Sequence, residues 1–342
     1  MDLTALDYPL DPALIAQHPL PARDASRLLV VARGHGTRAH ARIDALADWL
    51  TPGDLLVVND ARVSPVRLRG LRASGGAVEV LLVEPLDERG RWRCLARRAR
   101  RLRRGERIRF ARGLEGEWGG VSGPYREIRL SPEHELDAVL DAIGEIPLPP
   151  YIRRPHGPSA EDRVRYQTVF ARVPGAIAAP TAGLHFTPEL LARLAARDIA
   201  HVAVTLLVGP ATFLPSRGDT GAHAVPAERY AIAAPAAAAI NAARMAGRRI
   251  VAVGTTTVRA LESAAGEDGR VRAGAGRTTL VIEPGHRFRV VDALVTNLHL
   301  PRSTLLALVT ALAGPEPTLA AYRVASRAGY RFYSYGDAML IQ

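Results

Sequence analysis

The sequence contains no lysine, so all 45 of its basic residues are arginine. A genome rich in G and C favours arginine codons by itself, and the absence therefore identifies no partner. The excess of base over acid is a separate matter. A formal charge of +11 and a pI near 10.6 are what a polyanionic partner would meet. Charge alone leaves nucleic-acid binding and an unselected basic surface equally open. Cys94 is the only cysteine, which excludes a disulfide within the chain and a multi-cysteine zinc site and leaves redox chemistry without support. Among the ten histidines there is no HxH or HExxH pair. His185 and Glu189 have helical spacing, but Thr187-Pro188-Glu189 reads as N-cap, N1 and N2 of a helix, which puts His185 outside it. No metal site is expected. No apolar run approaches the roughly 20 residues that span a bilayer, and the N-terminal MDLTALDYPLDP has neither a basic nor an apolar leader region. A soluble, cytoplasmic protein is the expectation.

With 342 residues, 48% of them hydrophobic, the chain can bury a sizeable core and suggests two domains, or one large domain with an insertion. No internal repeat is visible, and low complexity is confined to the alanines at 236–239. From Gly175 onward, strand and helix alternate. GAIAA (175–179), Ile199 to Val208, Arg249 to Val253 and Thr278 to Ile282 read as strands. Helices begin at Thr187, Pro235, Gly254 and Ser303, and Gly247 and Gly314 act as stops. The aromatic start of YRFYSYGDAMLI reads as a final strand. Between about Val63 and Pro150, short alternating runs such as AVEVLLVEP and RWRCLA indicate a small barrel or sandwich, with one helix from Ser131-Pro132-Glu133 to Gly144. The expected fold is α/β: a barrel-like main domain of residues 1–62 and 151–342, whose first strand is Asp54 to Val58, and an inserted all-β barrel of residues 63–150.

Five polar clusters directly follow apolar, strand-like runs: PTAGLHF (180–186), GPATF (209–213), GTTTVR (254–259), TNLHLP (296–301) and YGDAM (335–339). Loops leaving parallel strands converge on one sheet edge, so these clusters are expected to meet in one composite site. Gly254 and the threonines after it would offer helix N-terminal N–H groups to an anion, or merely cap the helix. Arg259 and Glu262, three apart on one face, suit ligand contact or a surface ion pair. His185 and His299 stand in loops where histidine exchanges protons near neutral pH, although a buried histidine satisfied by backbone has the same surroundings in sequence. Asn59, Asp60 and Arg62 follow the first strand and read as ligand groups or as turn chemistry. The arginine run with Arg97, Arg98, Arg100, Arg101, Arg103 and Arg104 is a solvated face or a phosphate-binding surface.

Taken together, long motifs distributed nearly end to end resemble the S-adenosylmethionine:tRNA ribosyltransferase-isomerases of queuosine biosynthesis. They include LDYPLDPALIAQHPLPARDASRLLV from Leu6, GDLLVVNDARV from Gly53, IPLPPYIRRP from Ile146, DRVRYQTVFA from Asp162, AAPTAGLHFT from Ala178, VGTTTVRALES from Val253, TNLHLPRSTLLALVTALAG from Thr296 and YRFYSYGDAMLI from Tyr330.

The resemblance implies ribosyl transfer from S-adenosylmethionine, a substrate rather than a cofactor, to 7-aminomethyl-7-deazaguanine at the tRNA wobble position. Adenine and methionine leave as an epoxycyclopentane forms. It further implies tRNAs with a GUN anticodon; a monomer with no membrane partner is the accompanying expectation. Catalytic roles would fall to His185 or His299 for proton exchange and to Glu262 or Asp337 facing the cationic sulfonium or amine. Substrate would be held by Asn59, Asp60, Arg62, Thr181, Gly183, Phe186, Gly209, Thr212, Gly254, Thr255, Thr256, Arg259, Asn297 and Tyr335, with Arg259 or Arg62 on a carboxylate or phosphate. The pattern departs at Ala61, Leu207, Pro210, Ala211, Pro226 and Ala227, where the family has a threonine, two histidines, a glycine and a serine, and no proline at 210; Glu228 remains. These departures keep two alternatives open: a paralogue with another acceptor, and a protein that binds S-adenosylmethionine or tRNA without turnover.

Overall fold

The computed structural model describes residues 3–87, 90–99, 102–132, 136–213 and 226–342. Its strands are β1 (Arg27–Ala32), β2 (Gly36–Arg42), β3 (Leu55–Asn59), β4 (Ala61–Val63), β5 (Arg67–Arg72), β6 (Ala77–Pro85), β7 (Arg91–Arg97), β8 (Arg107–Arg109), β9 (Glu115–Ser122), β10 (Tyr125–Ser131), β11 (Val173–Ala176), β12 (Ala200–Leu206), β13 (Glu228–Ile232), β14 (Ile250–Val253), β15 (Gly274–Thr278), β16 (Ala293–Asn297) and β17 (Ala338–Ile341). The helices are α1 (Leu46–Trp49), α2 (Leu136–Ile143), α3 (Ala160–Arg165), α4 (Pro188–Ala195), α5 (Ala234–Met245), α6 (Thr255–Ala264), α7 (Thr304–Ala313) and α8 (Pro315–Arg327).

Continuous apolar strands need cover on both faces. β3, β14 and β16 are buried at every residue and lie with β12 in parallel at the centre of a nine-stranded sheet, ordered β15-β13-β12-β3-β14-β16-β17-β1-β2. Alternation along β3 separates the two faces: Leu55 and Val57 pack beneath α5 to α8, while Leu56 and Val58 pack with α1 and α4. β17 is antiparallel to β16, with Asn297 opposite Ala338. That reversal places the loop before β17 at the edge where the loop after β16 emerges.

The antiparallel strands β10-β7-β6-β5-β8-β9 close into a barrel. Phe110 fills its interior against two glycines. A Cβ on Gly70 would lie 2.6 Å from Ile108 and 2.7 Å from Phe110, and one on Gly116 would lie 2.6 Å from Ile128. All six barrel strands fall within residues 63–150. β4, where the chain enters this segment, pairs in parallel with β11, which follows α3.

The α/β body with an all-β barrel is the architecture anticipated, but the main domain is built on a nine-stranded sheet running from β15 to β2 and not on a barrel-like one, and several local corrections follow. β1 and β2 precede the stretch taken as the first strand and sit in the same sheet. Strand structure at Thr278 ends rather than begins there. The aromatic segment before β17 is a loop, because Tyr330 and Phe332 are buried as side chains and Tyr333 turns the chain at φ 71°, leaving only 338–341 to pair. Ser131 closes β10, and the described part of the following helix starts at Leu136; Glu133 lies outside the described residues. Gly314 stops α7, yet Pro315 opens α8 at once, as proline at a first helical position can. Among the described residues no single helix is long and apolar enough to cross a membrane.

Candidate active site

At the C-terminal edge of the parallel strands a cavity of about 310 Å³ opens between the loops after β11, β12, β14 and β16 and the loop before β17. All five polar clusters are near this edge. The fifth arrives by a different route from the others: it precedes its strand, and the antiparallel run of β17 brings it there.

The N-terminus of α6 forms one wall. Gly254 holds φ 92°, a left-handed conformation that a side chain would strain, and so turns the chain from β14 directly into the helix. Thr255, Thr256 and Arg259 then face the cavity from neighbouring helical positions. Asn59 fixes this wall. Its Oδ1 accepts from the Ala61 and Leu206 N–H groups at 3.1 Å, and its Nδ2 donates to the Leu206 carbonyl at 3.0 Å and to Thr256 Oγ1 at 3.1 Å.

Arg259 does not pair with Glu262. Its Nη1 donates to Glu228 Oε2 and its Nε to the Leu280 carbonyl at 2.9 Å, while Glu228 Oε1 accepts the Gly209 N–H at 2.7 Å. Glu228 is the only carboxylate among the described lining residues. Glu262 points elsewhere: it accepts the N–H groups of Arg289, Val290 and Val291 at 2.9–3.1 Å and anchors that loop. Asp337 is equally occupied, by the Arg27 and Arg331 N–H groups and the Arg27 guanidinium. Neither carboxylate lines the cavity, so the expectation that Glu262 or Asp337 faces a cationic substrate gives way to a structural role for both.

The two histidines separate in the same manner. His299 lines the cavity, with Nε2 2.9 Å from Thr296 Oγ1, its N–H donating to Tyr322 Oη at 3.1 Å, and its carbonyl accepting from the Tyr8 hydroxyl. Burial pushes its imidazole down to about 3. His185 lies outside the cavity, in a separate small cleft with Arg23, Arg165 and Tyr335. Burial pushes it down to about 4; Asp337 opposes the shift, and Arg331 and Arg23 add to it. Both rings are therefore neutral near pH 7, not half-titrated as their loop setting suggested. His185 instead orients Asn297. Thr181 Oγ1 donates to Asn297 Oδ1 at 2.9 Å, which makes Nδ2 a donor to the Tyr333 carbonyl and to His185 Nε2, each at 3.1 Å. His185 Nε2 is thus an acceptor, and its ring proton is on Nδ1.

Of the remaining expected ligand residues, Thr181, Gly209, Gly254, Thr255, Thr256 and Asn297 line the cavity. Asp60 is buried under Arg172 at 2.7 Å and Thr205 at 2.6 Å, and Arg62 is exposed on β4. Gly183 packs on Thr168, Phe186 meets Phe170 at a tilt with ring centroids 5.5 Å apart, and Tyr335 donates to Asp162 at 3.3 Å. None of these five lines the cavity. The Thr212 side chain, Arg100, Arg101 and His223 lie outside the described residues.

Sequence reasoning gave no site role to Glu228, Thr296, Ser334 or the tyrosines Tyr151, Tyr166 and Tyr333, and read Ser303 only as a helix cap; all of them line the cavity. Burial raises the hydroxyls of all three tyrosines, Tyr333 to about 12, so they remain protonated donors. The one signal available for Glu228 was its survival in an altered motif.

Those alterations hardly touch the cavity. Leu207 lies against Gly175, whose Cβ would be 3.3 Å from it, and Ala61 acts through its N–H to Asn59. Pro210, Pro226 and Ala227 are not lining residues either, which leaves Ala211 as the one substituted position on the wall.

An α/β sheet carrying an all-β barrel, with a mostly apolar cavity that buries one ion pair and one neutral imidazole at the strand ends, defines an enzyme built for a small organic substrate that carries charge. The chain belongs to the queuosine biosynthesis protein family, whose model matches residues 3–341. It is 56% identical over 346 residues to the S-adenosylmethionine:tRNA ribosyltransferase-isomerase of Anaeromyxobacter dehalogenans strain 2CP-C, covering 100% of this chain and 99% of that protein. It is 50% identical over 344 residues to the enzyme of the same name from Syntrophotalea carbinolica, covering 100% of each. Its structure is similar to the crystal structure of S-adenosylmethionine tRNA ribosyltransferase from Thermotoga maritima, with a TM-score of 0.57 and 36% identity over 99% of this chain and 100% of that one.

Proposed function

We propose that this enzyme transfers the ribosyl part of S-adenosylmethionine to 7-aminomethyl-7-deazaguanine at the wobble position of tRNA and isomerises it. The products are epoxyqueuosine-tRNA, adenine and methionine. The observation that carries the reading is the cavity wall of Glu228, Arg259, Asn297 and His299, which offers opposite charges and neutral donors within one largely apolar enclosure. The chemistry asks for such a set. A sulfonium acidifies the C5′ protons, adenine leaves with a proton, and the methionine part carries both charges. His299, neutral in the cavity, has a lone pair to exchange a proton, while His185 holds Asn297 in place. His299→Ala lowers turnover by about 100-fold or more, in single-turnover assays following adenine release.

The barrel segment, residues 63–150, is the part proposed to hold the RNA. Several of its other arginines are ion-paired, among them Arg69 with Glu145, Arg72 with Glu106, Arg91 with Asp87 and Arg93 with Glu84. Arg97, Arg98, Arg103 and Arg104 are exposed and make no ion pair among the described residues. Arg97 is also close enough to act on Arg67, whose guanidinium is 6.0 Å from the ring of Phe213 in the cavity loop. Changing these four arginines to glutamine should flatten the dependence of log affinity for tRNA on log salt by about 0.7–0.9 for each phosphate that is no longer neutralised. An unchanged slope would remove this face from the RNA path. A wobble base in a single-stranded loop can be splayed into a cavity at small cost. The reading takes tRNAs with a GUN anticodon as substrates, one chain as the working unit, the cytoplasm as the setting, and no cofactor besides the S-adenosylmethionine that is consumed.

The test is mass spectrometry of purified protein with S-adenosylmethionine and tRNA bearing the aminomethyl base. Adenine together with epoxyqueuosine is the expected result. Adenine release without tRNA, or binding without either product, would refute the assignment.

A further inference from the structure

We propose that Glu228 and Arg259 together form the subsite for an α-amino acid head group, gripping the carboxylate and ammonium of the methionine part of S-adenosylmethionine. The inference rests on the substrate reading above and adds the residues that recognise one end of that substrate. Two features of the pair point to a ligand. First, Arg259 is incompletely satisfied: Nε serves the Leu280 carbonyl and Nη1 serves Glu228, but Nη2 is buried without a partner, on a side chain only 10% exposed that forms part of the cavity wall. A buried guanidinium N–H left unmatched is costly, and a ligand oxygen removes that cost. Second, Glu228 uses each oxygen once, toward the Gly209 N–H and toward Arg259, which leaves lone pairs on a 6% exposed side chain in the same wall.

The positions of the neighbours select a zwitterion over a simple anion. Thr255 and Thr256 lie one helical turn before Arg259 on the same face of α6, and first-turn N–H groups have no acceptor within the helix. One carboxylate oxygen can meet Arg259 Nη2 while the other meets this helix start. In an α-amino acid the ammonium is attached to the carbon that bears the carboxylate, so it falls beside Glu228. The four charges then alternate in sign, and no charge is left buried alone. An isolated phosphate or carboxylate would leave Glu228 facing like charge.

The experiment compares equilibrium binding of S-adenosylmethionine, its decarboxylated analogue and its deaminated analogue to the full-length protein by calorimetry. For the unaltered protein, loss of either group should weaken binding by about 10- to 100-fold, as sites built to hydrogen-bond a group discriminate against its absence. In Arg259→Gln the decarboxylated analogue should bind about as well as S-adenosylmethionine. In Glu228→Gln the penalty for losing the amine should shrink in the same way. A merely structural pair would weaken all three ligands equally, and that result overturns the proposal. So does an unaltered protein that binds both analogues as tightly as S-adenosylmethionine, a comparison that stands even if the variants fold poorly. Failure of the unaltered protein to bind S-adenosylmethionine at all would instead overturn the substrate reading, and the head-group site with it.

Discussion

Truncating Glu228 to alanine lowers the free energy of unfolding by about 3–5 kcal/mol, because it strands Arg259 as an uncompensated buried charge. Glu228 and Arg259 are 6% and 10% exposed as side chains, so water cannot replace the missing partner without opening the cavity wall. The same change releases the Gly209 N–H, whose acceptor is Glu228 Oε1 at 2.7 Å, and so loosens the start of the loop carrying Ala211. Glu228→Gln keeps an acceptor for Gly209 and should cost less. Replacing both members, Glu228→Leu with Arg259→Met, should recover much of the loss, since the penalty arises from breaking the pair and not from lacking it. Urea unfolding of the unaltered protein, Glu228→Leu, Arg259→Met and the double variant, analysed as a double-mutant cycle, measures this, with Glu228→Ala and Glu228→Gln run beside it. A cost for Glu228→Ala below about 1 kcal/mol would mean that Arg259 reaches solvent or another acceptor.

Acid weakens the fold well above the range in which carboxylates titrate. His185 and His299 are held near 4 and 3 by burial, against about 6.5 when unfolded. A depressed histidine is neutral in the folded state while the unfolded chain takes up the proton, so its contribution is complete above pH 6.5 and is lost as pH falls toward the folded values. Two such groups give a slope approaching about 2.7 kcal/mol per pH unit, or on the order of 3–4 kcal/mol between pH 6.5 and 5. That is a large part of the roughly 5–15 kcal/mol by which domains are stable. Urea midpoints from pH 7.5 to 5 should fall steeply, and His299→Gln, which keeps a nitrogen for Thr296, should reduce the slope by about half. Flat midpoints over this window would show that the rings take up protons without unfolding.

Much of the site was legible because loops at strand ends keep their chemistry in short contiguous segments. Thr181, Gly209, Gly254 to Thr256, Arg259, Asn297 and His299 were all identified in that way and all line the cavity. The placements outside the cavity share one cause. Glu262, Asp337 and His185 occupy segments of the same kind, and nothing in sequence distinguishes a polar group turned into a cavity from one turned a few ångströms aside onto backbone N–H groups or an amide. Glu228 was passed over for the converse reason. It begins an antiparallel strand beside β12 and reaches the cavity through sheet pairing, which leaves no local motif.

The sequence by itself determined the α/β body, the all-β barrel segment, the caps at Thr187 and Ser303, and the family, since these follow from hydrophobic period, turn chemistry and long motifs. Tertiary structure alone decided which charges meet, which histidine enters the cavity, and that both imidazoles remain neutral. Pairing and desolvation depend on distances and burial between residues far apart in the chain, such as Glu228 and Arg259, or Asn297 and His185, and local sequence carries neither quantity.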